Sequence, residues 1–204
     1  MANEGIKFHF IPAYSPHFAG LAEAGVKSTK HHLVRVLGNC HLTYEELNTT
    51  LTQIEAILNS RPLTPLSPDP EDMMPLTPGH FLIGRPLTSL PSQDYQERPT
   101  TSLSRFQRIE QLRQHFWARW SKEYISELQL RSKWRSSKGA TLKLNSLVLL
   151  KEENLSPLHW KLGRVVALYP GADGVSRVAD IRTASGLHRR SFCKICPLPE
   201  DKEG

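Results

Sequence analysis

HWKLGRVVALYPGADGVSRVADIRT, residues 159–183, decides how the chain is read. Trp160 to Tyr169 and Val175 to Thr183 are β-branched or apolar runs, and Pro170-Gly171-Ala172-Asp173-Gly174 between them supplies residues that turns demand. The pattern extends outward on both sides. Leu147 to Lys151 is a third run, set off by Glu152 to Pro157, and Leu187 to Ser191 is a fourth, beyond Ala184-Ser185-Gly186. Four or five strands in about 60 residues, with no helix among them, predict a small β-barrel over 140–199.

A barrel of this size and strand spacing is of the SH3-like kind. Ahead of it the apolar period lengthens from two to 3.6. From Ser104, the residues Phe106, Ile109, Phe116, Trp117, Trp120 and Leu128 form a broad aromatic stripe, and Arg105, Arg108, Arg113, Arg119 and Lys122 fill the remaining surface. Such a stripe marks a core face more than a platform for nucleobases. The apolar period then stops. Arg131, Lys133, Trp134, Arg135 and Lys138 crowd around one aromatic, which suits a linker touching phosphates or a solvated hinge. Residues 104–139 are therefore read as a basic helix and linker, and 200–204 as a short tail.

Residues 63–103 have a different composition. Nine of the fifteen prolines lie between Pro62 and Pro99, so an extended connector is expected, with Phe81, Leu82 and Ile83 apolar enough to pack on something. Further back, Thr43 and Glu46 form a capping box ahead of a helix with Leu47, Leu51, Ile54 and Leu58 on one stripe, ending before Arg61-Pro62. An earlier helix lies within PAYSPHFAGLAEAGVKSTKHHLVRVLG, residues 12–38, opened by Ser15-Pro16 and closed by Gly38. Ala22, Val26, Thr29, Leu33, Val36 and Leu37 share its buried stripe, with Glu23, Lys27 and Lys30 in a row along the margin. Lys7 to Pro12 alternates as a brief strand.

Lys and Arg number 26 against 20 Asp and Glu, a net charge of +6. The excess is local: residues 1–63 balance at zero, 64–103 carry −3, 104–139 carry +6 and 140–204 carry +3. The basic half suits a polyanion such as nucleic acid, or simply a solvated charged face. No run of about 18 apolar residues is present, so no membrane span is expected. Three cysteines with no secretory signal ahead of them fit the nucleus or cytoplasm rather than secretion. Cys193 and Cys196 lack a second Cys or His pair at a zinc-site interval and are read as strand-end cysteines. His31 and His32 point about 100° apart on a helix and do not share a metal easily.

Four segments in order resemble the C-terminal part of the integrase region of a Pao/BEL-type LTR retrotransposon polyprotein. They are IPAYSPHFAGLAEAGVKSTKHHLVRVLG, LTYEELNTTLTQIEAILNSRPLTPL, LTPGHFLIG and HWKLGRVVALYPGADGVSRVADIRT, and the likeness covers about residues 4–199. The resemblance implies an α+β chain: the end of an RNase H-like catalytic core over 1–62, present as a truncated remnant, then the connector, the basic helix and the SH3-like barrel. It implies that Glu23 is the catalytic glutamate of a site that holds two divalent ions, Mg in a complete integrase, with two aspartates. Those aspartates should precede Glu23, where Glu4 is the nearest acid. Ala22 stands where the family usually has tryptophan. The resemblance also places Lys27 and Lys30 near the ends of the element's DNA.

The expected function is thus a non-catalytic DNA-binding remnant of the integration machinery with little sequence preference. It needs no cofactor or metal of its own, and its contacts are Lys27, Lys30, Arg131, Lys133, Trp134, Arg135, Lys138, Arg189 and Arg190. One alternative is a module whose barrel contacts a chromatin protein or an integrase-like subunit through Trp134, Trp160 and Tyr169. Another is a strand-transfer enzyme completed by aspartates from another chain.

Overall fold

The computed structural model describes residues 10, 12–15, 20–38, 40–135 and 142–199, and the side chains of Leu21, Ala22 and Leu130 to Arg135 are outside that description. Of the brief strand expected over Lys7 to Pro12 only Phe10 and Pro12 are described, neither of them in a strand, and the helix start at Pro16 lies outside the described residues. The chain is a mixed α/β protein, with four α-helices and a five-stranded antiparallel sheet that is not closed among the described residues. It divides into two units, 1–40 and 41–204.

The first unit carries α1 (Gly20–Leu37). Gly38 ends it in the left-handed region at φ 51°, a conformation glycine adopts without a Cβ clash, and its N–H donates to the Val34 carbonyl at 3.1 Å. Thr29, Leu33, Val36 and Leu37 are half-buried as the periodicity predicts, but Val26 is exposed and His32 is buried. The shielded stripe therefore runs through His32 instead of continuing to Val26.

In the second unit, α2 (Tyr44–Asn59) opens with the capping box read from the sequence: Glu46 N–H donates to Thr43 Oγ1 at 3.3 Å, and Thr43 N–H donates to Glu46 Oε2 at 2.9 Å. Its buried residues are Thr50, Ile54 and Ile57, whereas Leu47 and Leu51 face solvent. The expected stripe is rotated because α4 (Arg105–Arg135) packs against the Ile54 side, where Gln53 Nε2 reaches Glu110 Oε1 at 3.1 Å. Thr50 is buried without losing a hydrogen bond, since its hydroxyl donates to the Glu46 carbonyl at 2.7 Å.

The proline-rich connector is ordered. A two-residue ladder pairs β1 (Thr64–Pro65) with β2 (Pro75–Leu76), and α3 (Pro78–Ile83) follows. Phe81, Leu82 and Ile83 do not pack as expected: they are 74%, 62% and 49% exposed. The inward side of α3 is instead Gly79, where a Cβ would come within 3.2 Å of Leu87. Residues 89–98 then lie along α4 as a strap. Gln111 Nε2 donates to the carbonyls of Tyr95 and Arg98, both at 2.7 Å, while Gln114 donates to the Gln93 carbonyl and accepts from Tyr95 N–H. Backbone groups of an extended segment thus find side-chain partners where no ladder is available.

With the strap on one side and α2 on another, the first half of α4 buries polar residues as well as apolar ones: Glu110, Gln111 and Gln114 join Ile109, Leu112, Phe116, Trp117 and Trp120. Phe106, placed in the stripe by its spacing, is exposed instead because it stands at the open start of the helix. The backbone of Arg131 to Arg135 continues α4, which corrects the expectation of a linker from 131 onward.

The sheet contains β3 (Leu147–Leu150), β4 (Leu162–Pro170), β5 (Ser176–Thr183), β6 (Gly186–Ser191) and β7 (Ile195–Pro197), in spatial order β6-β5-β4-β3-β7. All four residues of β3 are buried, because its two faces serve two cores. Val148 and Leu150 join Leu142, Val165, Ala179, Ile181 and Ile195 in one cluster. Leu147 and Leu149 pack with Cys196 and Leu198 against Ile125 and Leu128 of α4. A 3-10 turn, Phe192–Lys194, separates β6 from β7, and no pairing joins these edge strands among the described residues.

Candidate nucleic-acid interface

Arg189 and Arg190, adjacent on β6, point to opposite faces, as successive strand residues must. Arg189 lies opposite Asp180 in the β5–β6 register, with Nε 2.8 Å from Asp180 Oδ1 and Nη2 3.0 Å from Oδ2. Its guanidinium carbon sits 4.3 Å from the centre of the Tyr169 ring, and the Tyr169 hydroxyl donates to Asp180 Oδ2 at 2.7 Å. Hydrogen bonds from Arg189 and then Tyr169 hold the Asp180 carboxyl down at about 2, and the bond to Asp180 raises the Tyr169 phenol above its ordinary value. Arg189 is 62% exposed, yet its charge is already matched.

Arg190 belongs to a different group. Its Nη2 is 3.3 Å from Glu152 Oε1, and Lys161 Nζ is 3.8 Å from Oε2 of the same carboxylate. Lys161 precedes β4 and accepts from Leu150 N–H through its carbonyl at 2.8 Å. One residue further, Lys151 N–H donates to the Lys194 carbonyl at 2.9 Å. Strand register therefore gathers Lys151, Lys161 and Lys194 at one end of β3, β4 and β7, and Arg190, near the other end of β6, reaches the same group through Glu152. No ion pair forms at Lys151 or Lys194 among the described residues. The lysines of this rim escaped the sequence reading because they are 10 to 43 residues apart in the chain. The signal that could have found them was the register of the strands, since each lies at a strand end.

Glu23, Lys27 and Lys30 are all exposed on α1 and, with Val26, line one open depression. Among the described residues no three His, Cys, Asp or Glu side chains gather as a ligand set. The side chains of Arg131, Lys133, Trp134 and Arg135, and all of Lys138, lie outside the described residues. Cys193 is exposed while Cys196 is buried, and burial pushes the Cys196 thiol up to about 12.

Trp160, expected as an exposed contact, is half-buried within a cluster of rings instead. Its centroid is 4.7 Å from Trp117, 5.6 Å from Tyr124 and 6.1 Å from Trp120. Three of the cluster's polar atoms have partners: Trp160 Nε1 donates to Ser60 Oγ, Trp117 Nε1 to the Leu155 carbonyl and Tyr124 Oη to the Pro62 carbonyl. The cluster thus locks α4 to the end of α2 and to the loop before β4.

Arg164 on β4 is another structural cation, 4% exposed. Nε and Nη2 donate to the Asp72 carbonyl, Nη2 also reaches the carbonyls of Ser67 and Asp69, and Nη1 donates to the Asn145 carbonyl. It holds the 67–72 loop on the sheet through backbone carbonyls alone among the described residues.

Together these features define a mixed α/β protein whose open sheet carries a basic rim. Residues 104–198 match a protein family described as "Family of unknown function (DUF5641)", a domain typically found in retrotransposon-derived polyproteins. No curated protein and no solved structure matches the chain. Among the described residues no helix is long and apolar enough to cross a membrane.

Proposed function

We propose that this chain is an integrase-derived, non-catalytic DNA-binding protein of the Pao/BEL type, gripping the phosphate backbone with little sequence preference through the sheet domain. The observation that carries the reading is the rim of Lys151, Lys161 and Lys194 at one end of β3, β4 and β7, joined by Arg190 through Glu152. Strand order supports an SH3-like assignment: the last strand pairs with the first, and a 3-10 turn precedes it. The match of residues 104–198 to a domain of retrotransposon-derived polyproteins supports the origin. In this reading the chain is nuclear when it acts and does not transfer strands unaided; among the described residues, Glu23 shares its depression with Val26, Lys27 and Lys30.

The test is binding of a random-sequence duplex over a salt series. Affinity should fall linearly on a log–log plot, with a slope near −0.9 for each phosphate neutralised. Affinity that is indifferent to salt would overturn the reading. A second reading, contact with a chromatin protein or integrase-like subunit, is favoured by one observation: α3 is capped at both ends yet presents Phe81, Leu82 and Ile83 to solvent. Capture of a partner from nuclease-treated nuclear extract, abolished by Phe81→Asp, would support it.

A further inference from the structure

The two-residue turn Ala184-Ser185 joins β5 to β6 and carries a hydroxyl group with an unusual set of neighbours. Ser185 Oγ lies 3.0 Å from Lys161 Nζ, 3.0 Å from His188 Nε2 and 3.0 Å from Thr183 Oγ1. A consistent set of donors has Thr183 giving its hydroxyl proton to the Gly186 carbonyl at 3.0 Å and Ser185 giving its own to Thr183 Oγ1, with Ser185 Oγ accepting from Lys161 and from the Nε2–H tautomer of His188. An ammonium from the start of β4 and an imidazole N–H from β6 therefore converge on one exposed oxygen.

A hydroxyl is a weak acceptor for two such donors, and a phosphate oxygen is a better one. Gly186, at φ 110°, has nothing within 4 Å of where a Cβ would stand, so the approach to the turn is open. Glu152, the acid nearest Lys161, is 3.8 Å from its Nζ, farther than the Ser185 hydroxyl. We infer that Lys161, His188 and Ser185 form a seat for a single phosphate group, in which Lys161 Nζ and His188 Nε2 donate to one phosphate oxygen and Ser185 turns its hydroxyl to donate as well. This rests on the reading of the rim as a DNA interface for its source of phosphate, a backbone phosphodiester. The same chemistry would hold free phosphate. Neither His188 nor Ser185 figures in a reading of the sequence by its Lys and Arg.

Two measurements on the full chain test the seat. In the first, a duplex of about 20 base pairs is titrated at low and high salt. Lys161→Gln should weaken binding about tenfold at low salt and reduce the salt slope by about 1. Ser185→Ala, which changes no charge, should weaken it about three- to fivefold, the loss of one hydrogen bond. Ser185→Ala binding as the wild type while Lys161→Gln weakens would overturn the proposal, leaving Lys161 as a diffuse charge. In the second, inorganic phosphate is titrated and the His188 imidazole resonances are followed. A saturable shift in the wild type that is lost in Ser185→Ala supports the seat, and a shift that is absent or unaffected by the substitution overturns it. Failure of the duplex to bind at any salt, together with a saturable phosphate shift, would remove the DNA reading and keep the seat as one for free phosphate.

Discussion

The two arginines at the end of β6 show two uses of positive charge within one sheet. On one side Arg189 is stacked on Tyr169 and forked onto Asp180, and deeper in the sheet Arg164 is wrapped in backbone carbonyls. On the other, Arg190 and Lys161 share one carboxylate at distances above 3 Å, with Lys151 and Lys194 in register beside Lys161. Residues of one chemical type do different work according to what the neighbouring strand offers. The first group holds the chain together, and the second leaves its charge available to a polyanion. A count of basic residues does not separate the two, and geometry does.

The separation breaks if substitutions in the first group change binding, or if those in the second change stability. The largest effect is expected at Arg164. Arg164→Met should cost about 3 kcal/mol in urea unfolding, since the carbonyls of Ser67, Asp69, Asp72 and Asn145 lose their donor in a buried place. The folded fraction should still bind DNA as the wild type does. Next comes Asp180, whose carboxyl is held at about 2 in the folded chain by Arg189 and Tyr169, against an ordinary value of about 3.9. A depressed folded-state value gives stability that is present above about pH 4 and lost as pH falls towards 2. Asp180→Asn should lower stability at pH 7 and flatten that part of the pH profile. Glu46 and Asp173, also held at about 2 by Arg105 and Arg177, would supply the slope that remains.

Local signals in the sequence carried the elements well. The Thr43–Glu46 box opens α2 because its two hydrogen bonds need only residues three apart. The turn at Pro170 to Gly174 and the alternation around it placed β4 and β5. Burial was read less well wherever a distant segment decided it. Ile57 is buried in place of Leu47 because α4 packs on that side of α2, and nothing within 44–59 encodes that choice. Trp160 turns inward because α4 brings Trp117 and Tyr124 to it from more than 30 residues away. The same holds for the site: Arg189 and Arg190 were legible as cations, but the acid that answers each comes from another strand or loop, and the rim lysines meet only once the register is set.

Smaller effects belong to the rim itself. Lys151→Gln combined with Lys194→Gln should reduce the salt slope of DNA binding by about 2 while leaving the unfolding midpoint unchanged, because neither ammonium has an ion pair among the described residues. The smallest and most discriminating change is at Glu152. In the chain alone its carboxylate is a weak partner to Lys161 and Arg190, and such partly exposed pairs contribute little to folding. Facing DNA it is a like charge at the centre of the contact. Glu152→Gln should therefore strengthen duplex binding about threefold at low salt, with the gain shrinking as salt screens it. A loss of affinity instead would mean that Glu152 positions Lys161 and Arg190 for the phosphates, and that the rim, like Arg189, is built by pairing.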